Sequence, residues 1–133
     1  MTVSQKVGSY LVFTCLALLP SLLWAAEFDN NRFCNLWKSA AAKTNKEGPV
    51  WVDTITRLDG VAVICSLKHA EFKKFIKVPQ SQFRPGWQGR KQRQWNSIYC
   101  RQATLLAIRH GWRIEQLLTF VDGSQHRISA NCK

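Results

Sequence analysis

The stretch from Glu71 to Arg93 gathers the side chains best able to hold an anion. It carries Lys73, Lys74, Lys77, Arg84, Arg90, Lys91 and Arg93 against a single acid, Glu71. Phe72, Phe75, Phe83 and Trp87 are interleaved with them. Cations attract phosphate and carboxylate groups, and aromatic faces between them stack on flat ligand groups. On that reading the binding residues are Lys73, Lys74, Lys77, Arg84, Trp87, Arg90, Lys91 and Arg93. The competing reading is a connecting segment whose rings tuck into the core while its cations stay solvated.

Hydrolytic chemistry would have to use His69, His110 and His126. Cleaving a phosphodiester takes a general acid and a general base flanking the phosphate, with a cation nearby. His126 with Lys68, or with His69, could supply these parts. His110 is equally explained by a helix C-terminus, where the dipole favours a cation, and His126 by a cross-strand pair. No Ser/His/Asp order, Gly-rich phosphate loop or close carboxylate pair is evident. Asp53 and Glu115, both read within strands, can simply pair with neighbouring Lys or Arg. No catalytic residue is assigned, and the balance leans away from an enzyme.

Five cysteines are present. Cys15 falls in an apolar leader, which leaves Cys34, Cys65, Cys100 and Cys132. None forms a CxxC pair, so a four-thiolate metal site is not expected, nor any cofactor. An even count in a small exported chain reads as two disulfides, with all three pairings open from spacing alone.

The leader begins with Lys6, continues through an apolar run from Tyr10 and ends near Leu-Leu-Trp-Ala-Ala. This is the pattern of a secretory signal peptide, with cleavage expected after Ala25. It predicts a signal over 1–25, one domain over 26–133, and a periplasmic or secreted bacterial protein without a membrane anchor after processing. The full chain has a formal charge of +11, and the leader contributes only Lys6, so the remainder carries 11 − 1 = +10. Such a charge favours an acidic protein surface or an anionic envelope component; nucleic acid is compatible but less favoured.

Positioning these residues requires regular elements. A helix is predicted from Asp29 or Asn30 to Gly48, with Phe33, Leu36, Trp37 and Ala40 on its apolar face. Val50–Leu58 and Val61–His69 read as a hairpin about Asp59-Gly60. That register pairs Leu58 with Val61, Thr56 with Val63, Thr54 with Cys65 and Val52 with Leu67. Between Glu71 and Arg93, Pro79, Pro85, Gly86 and Gly89 oppose regular structure, with room for one short helix over 70–76. Trp95–His110 has the clearest helical period, and Gly111 would end it. Trp112–Phe120 and Gln125–Cys132 read as a second hairpin. A three-residue loop Asp122–Ser124 sets Leu118 opposite Ile128, Phe120 opposite His126 and Ile114 opposite Cys132, keeping one face apolar.

The two halves look alike, each a cysteine-bearing helix followed by a hairpin with a second cysteine. Pairing within halves gives Cys34–Cys65 and Cys100–Cys132. The expected fold is α+β, in the order α-β-β-α-β-β. Two helices would cover one face of a four-stranded antiparallel sheet, held by two disulfides.

The blocks GPVWVDTITRLDGVAVICSL and YCRQATLLAIRHGWRIEQLLTFVDG, with a terminal cysteine, resemble small bacterial exported α+β domains. Some of these are grouped as a quorum-sensing-regulated virulence factor family. The resemblance rests on Pro49, Val52, Asp53, Thr56, Leu58, Cys100, Gly111, Asp122 and Cys132. It implies an exported α+β domain and brings no catalytic residues. The leading expectation is a non-enzymatic binding or accessory protein of the bacterial envelope. The alternatives are a small secreted hydrolase acting on RNA or another phosphodiester, and an accessory or exclusion factor of a secretion or conjugation apparatus.

Overall fold

Asp29 starts the first helix, α1 (Asn30–Glu47), by accepting the Arg32 N–H on its carboxylate at 3.1 Å. Gly48, at φ +82°, ends it. The computed structural model describes residues 27–133, so the predicted signal peptide and Cys15 lie outside the described residues. The buried stripe of α1 is Phe33, Trp37, Ala41 and Thr44, with Cys34 beside it. Leu36, expected on that face, is 44% exposed. The stripe advances in steps of four and three residues, which leaves Leu36 to one side.

The sheet has five strands in spatial order β1 (Val50–Trp51), β2 (Thr56–Ile64), β3 (His69–Ile76), β4 (Arg113–Phe120) and β5 (Gln125–Ser129). All neighbours are antiparallel except β3 and β4, which are parallel. The α+β class therefore holds, but the sheet is five-stranded and mixed rather than four-stranded and antiparallel. The difference begins at Asp53. Its Oδ1 accepts the N–H groups of Ile55 and Thr56 at 2.9 and 2.7 Å, folding the predicted first strand back on itself. The turn therefore lies at Asp53–Ile55 rather than at Asp59-Gly60, and Leu58 pairs with Val50 rather than Val61.

Asp59-Gly60 runs within β2, where the register against β3 shifts between Leu58 and Gly60. The extra residue flips the side-chain parity, as a bulge does. Thr56 and Leu58 are buried before it and Val61 after it. Asn45 of α1 meets this irregular edge: its Nδ2 donates to the Val61 carbonyl, and its Oδ1 accepts the Val61 N–H, both at 2.8 Å. Strand β2 ends at Ile64, and a short 3₁₀ turn, Cys65–Leu67, leads through left-handed Lys68 into β3. The segment read as a loop with a short helix over 70–76 is thus a central strand. Its alternation of Ala70, Phe72 and Ile76, all fully buried, overrides the charges between them.

The predicted helix Trp95–His110 is two helices, α2 (Trp87–Tyr99) and α3 (Gln102–Arg109). Gly86, at φ +83°, allows α2 to begin early. Cys100 ends it, and Arg101 is extended. Side chains satisfy backbone carbonyls near the break: Arg101 Nε donates to Ser97 O at 2.6 Å, and Thr104 Oγ1 to Arg101 O at 2.8 Å. Together α2 and α3 form the crossover that a parallel β3–β4 pair demands.

The β4–β5 turn is Val121–Gly123, and Leu118 pairs with His126 and Gln116 with Ile128. That register lies two residues from the expected one, so Ile128 keeps its place on the buried face. The core packs Phe33, Trp37, Phe72, Trp95, Tyr99 and Trp112 between helices and sheet. Trp95 Nε1 donates to Ile114 O at 2.9 Å, and Trp112 Nε1 to Asn30 Oδ1 at 2.7 Å. Disulfides join Cys34 to Cys65 and Cys100 to Cys132, with Cα–Cα distances of 5.8 and 5.3 Å. Each closes a loop of similar length, which constrains the unfolded chain by about 3–4 kcal/mol. Among the described residues, no helix is long and apolar enough to cross a membrane.

Candidate functional site

Parity along β3 puts Lys74 on the helix-covered face, between Phe72 and Ile76. It opens onto a cavity of about 210 Å³ between α2 and the sheet. Lys74 Nζ donates to Gln116 Oε1 at 2.9 Å and sits 5.1 Å from the centroid of the Trp95 ring. Burial lowers the Lys74 pKa to about 8, against the opposing pull of Asp53. Lys91 of α2 lines the same cavity. Its pKa is also lowered, first by burial and then by the charge of Lys74, again opposed by Asp53. Thr56, Gln94 and Gln116 add polar groups to the lining, and Val52, Ile76, Trp95, Ile98 and Leu118 add apolar ones. Asp53 is the only acid in the lining, so the formal charge of two lysines and one aspartate is +1.

A wider surface groove of about 570 Å³ adjoins this cavity and shares Lys91 and Gln94 with it. Its other walls are Ile55, Gln82, Phe83, Arg84, Trp87 and Arg90. Arg90 is partly committed to the scaffold, because its guanidinium donates to the carbonyls of Pro85 and Arg84 at 3.1 Å each. Phe83 and Trp87 pack on Phe120 with centroids 5.4 and 5.5 Å away, and Trp87 also meets His126 at 5.1 Å. Trp87 is buried, so its ring serves the core and offers no open stacking face.

The structure brings together Lys74, Arg84, Trp87, Arg90 and Lys91 from the sequence-predicted set. It separates the other three. Lys73 is exposed on the opposite face of the sheet, Lys77 lies over the Trp51 ring at 5.5 Å, and Arg93 is exposed on α2 outside both hollows. Asp53, Thr56, Gln94 and Gln116 were not anticipated. One signal was readable for Lys74: a lysine occupies an inward position in the alternation Phe72-x-Lys74-x-Ile76.

The uncovered face of the sheet carries a second polar cluster. His69 Nε2 and Glu115 Oε1 hydrogen-bond at 2.6 Å. Arg127 Nη1 donates to Glu71 Oε2 at 2.5 Å and to Glu115 Oε1 at 3.3 Å. Burial pushes the Glu115 pKa up, but His69, Arg127 and Arg113 outweigh it and hold the carboxyl below its usual range. Ligand atoms of His69, Glu71 and Glu115 lie within 4.8 Å of one another, the separation a divalent cation could span. Ligation would require Arg127 to leave Glu71; as arranged, the cluster is a charge-balanced ion network. His126 lies on the other face of the sheet, beside Trp87. His110 is placed at the end of α3, where its Nδ1 bonds to Leu106 O at 2.8 Å and its ring stacks on Phe28. The parts of the hydrolase reading are thus distributed over different surfaces.

Comparison with family models, curated proteins and solved structures finds no match to this chain.

Proposed function

We propose that this is an exported, disulfide-bonded binding protein that engages an acidic protein surface or another anionic component of the bacterial envelope, without catalysing a reaction on it. The observation that carries this reading is the convergence of Lys74 and Lys91, from β3 and α2, on one cavity whose only acid is Asp53. Arg84 extends the positive lining along the adjoining groove. Two disulfides suit an oxidising compartment, and so does the resemblance to exported α+β domains. The high positive charge would speed encounter with an acidic partner.

The test uses immobilised poly-glutamate as a stand-in for an acidic surface. The variant Arg84→Ser/Lys91→Ser removes the two groove cations that face the ligand and leaves Arg90 to hold its loop. Its affinity should fall about tenfold or more, with the melting temperature within a few degrees of wild type. Unchanged affinity in the double variant would remove the groove from the reading.

A further inference from the structure

We infer that the inner cavity around Lys74 is a binding site for a single carboxylate carrying a short apolar substituent. The inference rests on the anion-binding reading above and assigns the chemistry of its deepest subsite. Three features select this ligand. The lining is mixed, with Lys74, Lys91 and Gln94 set among Val52, Ile98 and Leu118, and Lys74 is the cross-strand partner of Leu118. A ligand that satisfies such a lining carries both a charged group and an apolar one. The local formal charge of +1 matches a monoanion, whereas a phosphate dianion would face Asp53 with a charge in excess. The size also fits: about 210 Å³ is the share of roughly seven liquid waters, enough for a short aliphatic acid but not a long acyl chain.

Desolvation makes the site responsive. Burial disfavours both Lys74 and Lys91 as cations, and the charge of Lys74 disfavours Lys91 further. A carboxylate between them would relieve that repulsion and draw a proton onto Lys74. Three titratable groups line the cavity: Lys74 itself, Asp53 from the β1–β2 turn and Lys91 from α2. Binding should therefore weaken as the pH rises through 8. The carboxylate could belong to a free organic acid or to the last residue of a peptide, whose preceding residues would lie along the adjoining groove.

Calorimetry and NMR titration of the whole processed chain test this with hexanoate, hexanamide, inorganic phosphate, and a short peptide ending in leucine as free acid or amide. Hexanoate or the free-acid peptide should bind with a Kd of about 1 mM or tighter. The matching amide should bind at least tenfold more weakly. Lys74→Met keeps the side-chain stem and should also lose tenfold or more. Raising the pH from 7 to 9 should weaken acid binding severalfold. Acid binding by hexanoate would assign the source to free acids, and binding by the peptide alone to a chain terminus. Equal affinity for acid and amide would overturn the inference without relying on any variant, as would tighter binding of phosphate. Loss of acid binding with intact poly-glutamate binding in wild type defeats this inference alone. Failure on poly-glutamate with acid binding retained defeats the broader reading and leaves the cavity assignment standing.

Discussion

Lys74 and Glu115 lie on the two strands of the sheet's parallel pair but face opposite sides, and their pKa shifts bear oppositely on stability. For Lys74, the folded pKa of about 8 lies below its unfolded value of 10.5. Between those values the unfolded chain holds a proton that the folded chain has released, so stability rises with pH there. Wild type should therefore gain on Lys74→Met between pH 8 and 10, by at most ~3 kcal/mol, in paired urea titrations. A constant difference between the two proteins would show that the lysine is solvated. Lys91 shifts in the same sense, so only the difference between variants isolates Lys74. Glu115 runs the other way. Its folded pKa is depressed, so its stabilisation is present above the unfolded value of ~4.3 and is lost as pH falls through the folded one. Glu115→Gln should be less stable than wild type at pH 6, with the gap narrowing by pH 3. A gap that stays fixed would mean that the bonds from His69 and Arg127 do not favour the ionised form.

At the scale of elements, Asn45 does the work of a missing strand. Strand β1 has only two residues, so the edge of β2 beyond Leu58 has no backbone neighbour on that side. The Asn45 amide donates to and accepts from Val61 there, as a peptide group would. Asn45→Ala should cost about 1–2 kcal/mol, read as a lower urea midpoint at unchanged slope. Asn45→Asp should also destabilise, because it loses the donor to the Val61 carbonyl. No loss in either variant would mean that water replaces the amide freely. This contact also explains why the first hairpin was misread. Asp59-Gly60 has the composition of a two-residue turn, but its glycine lies against Asn45 of α1, a contact outside the local sequence pattern. The turn at Asp53 was written as an Asx motif within a β-branched run. In contrast, α1 and the existence of the β4–β5 hairpin are legible, because caps and alternation there agree with tertiary packing, whereas the hairpin's register is not. The site was half legible. Its cations stand out in composition, but Gln116 and Asp53 join it only through the parallel pairing and the early turn, which depend on long-range contacts.

For the whole molecule, the issue is how the charge of +10 carried by residues 26–133 divides between general attraction and a particular site. Much of it is spread over exposed positions such as Lys38, Lys43, Lys73, Arg93 and Arg101. Those charges act through solvent, and the Debye length shrinks from ~10 Å at 0.1 M salt to ~3 Å at 1 M. Attraction to an extended polyanion should therefore collapse with salt. Lys74 is different, because it is held in the cavity wall beside Trp95 and Gln116, where counter-ions have little access. Raising sodium chloride from about 0.05 to 0.5 M should weaken poly-glutamate binding by tenfold or more, but hexanoate binding by less than about threefold. Equal salt sensitivity for both ligands would mean that the acid is held only by the general field of the protein. The fold makes the separation feasible: placing β3 in the middle of a mixed sheet carries one lysine inward while leaving its neighbour Lys73 in solvent. A chain of similar composition with that segment as a surface loop, as its prolines and glycines suggest, would have general attraction without the enclosed site.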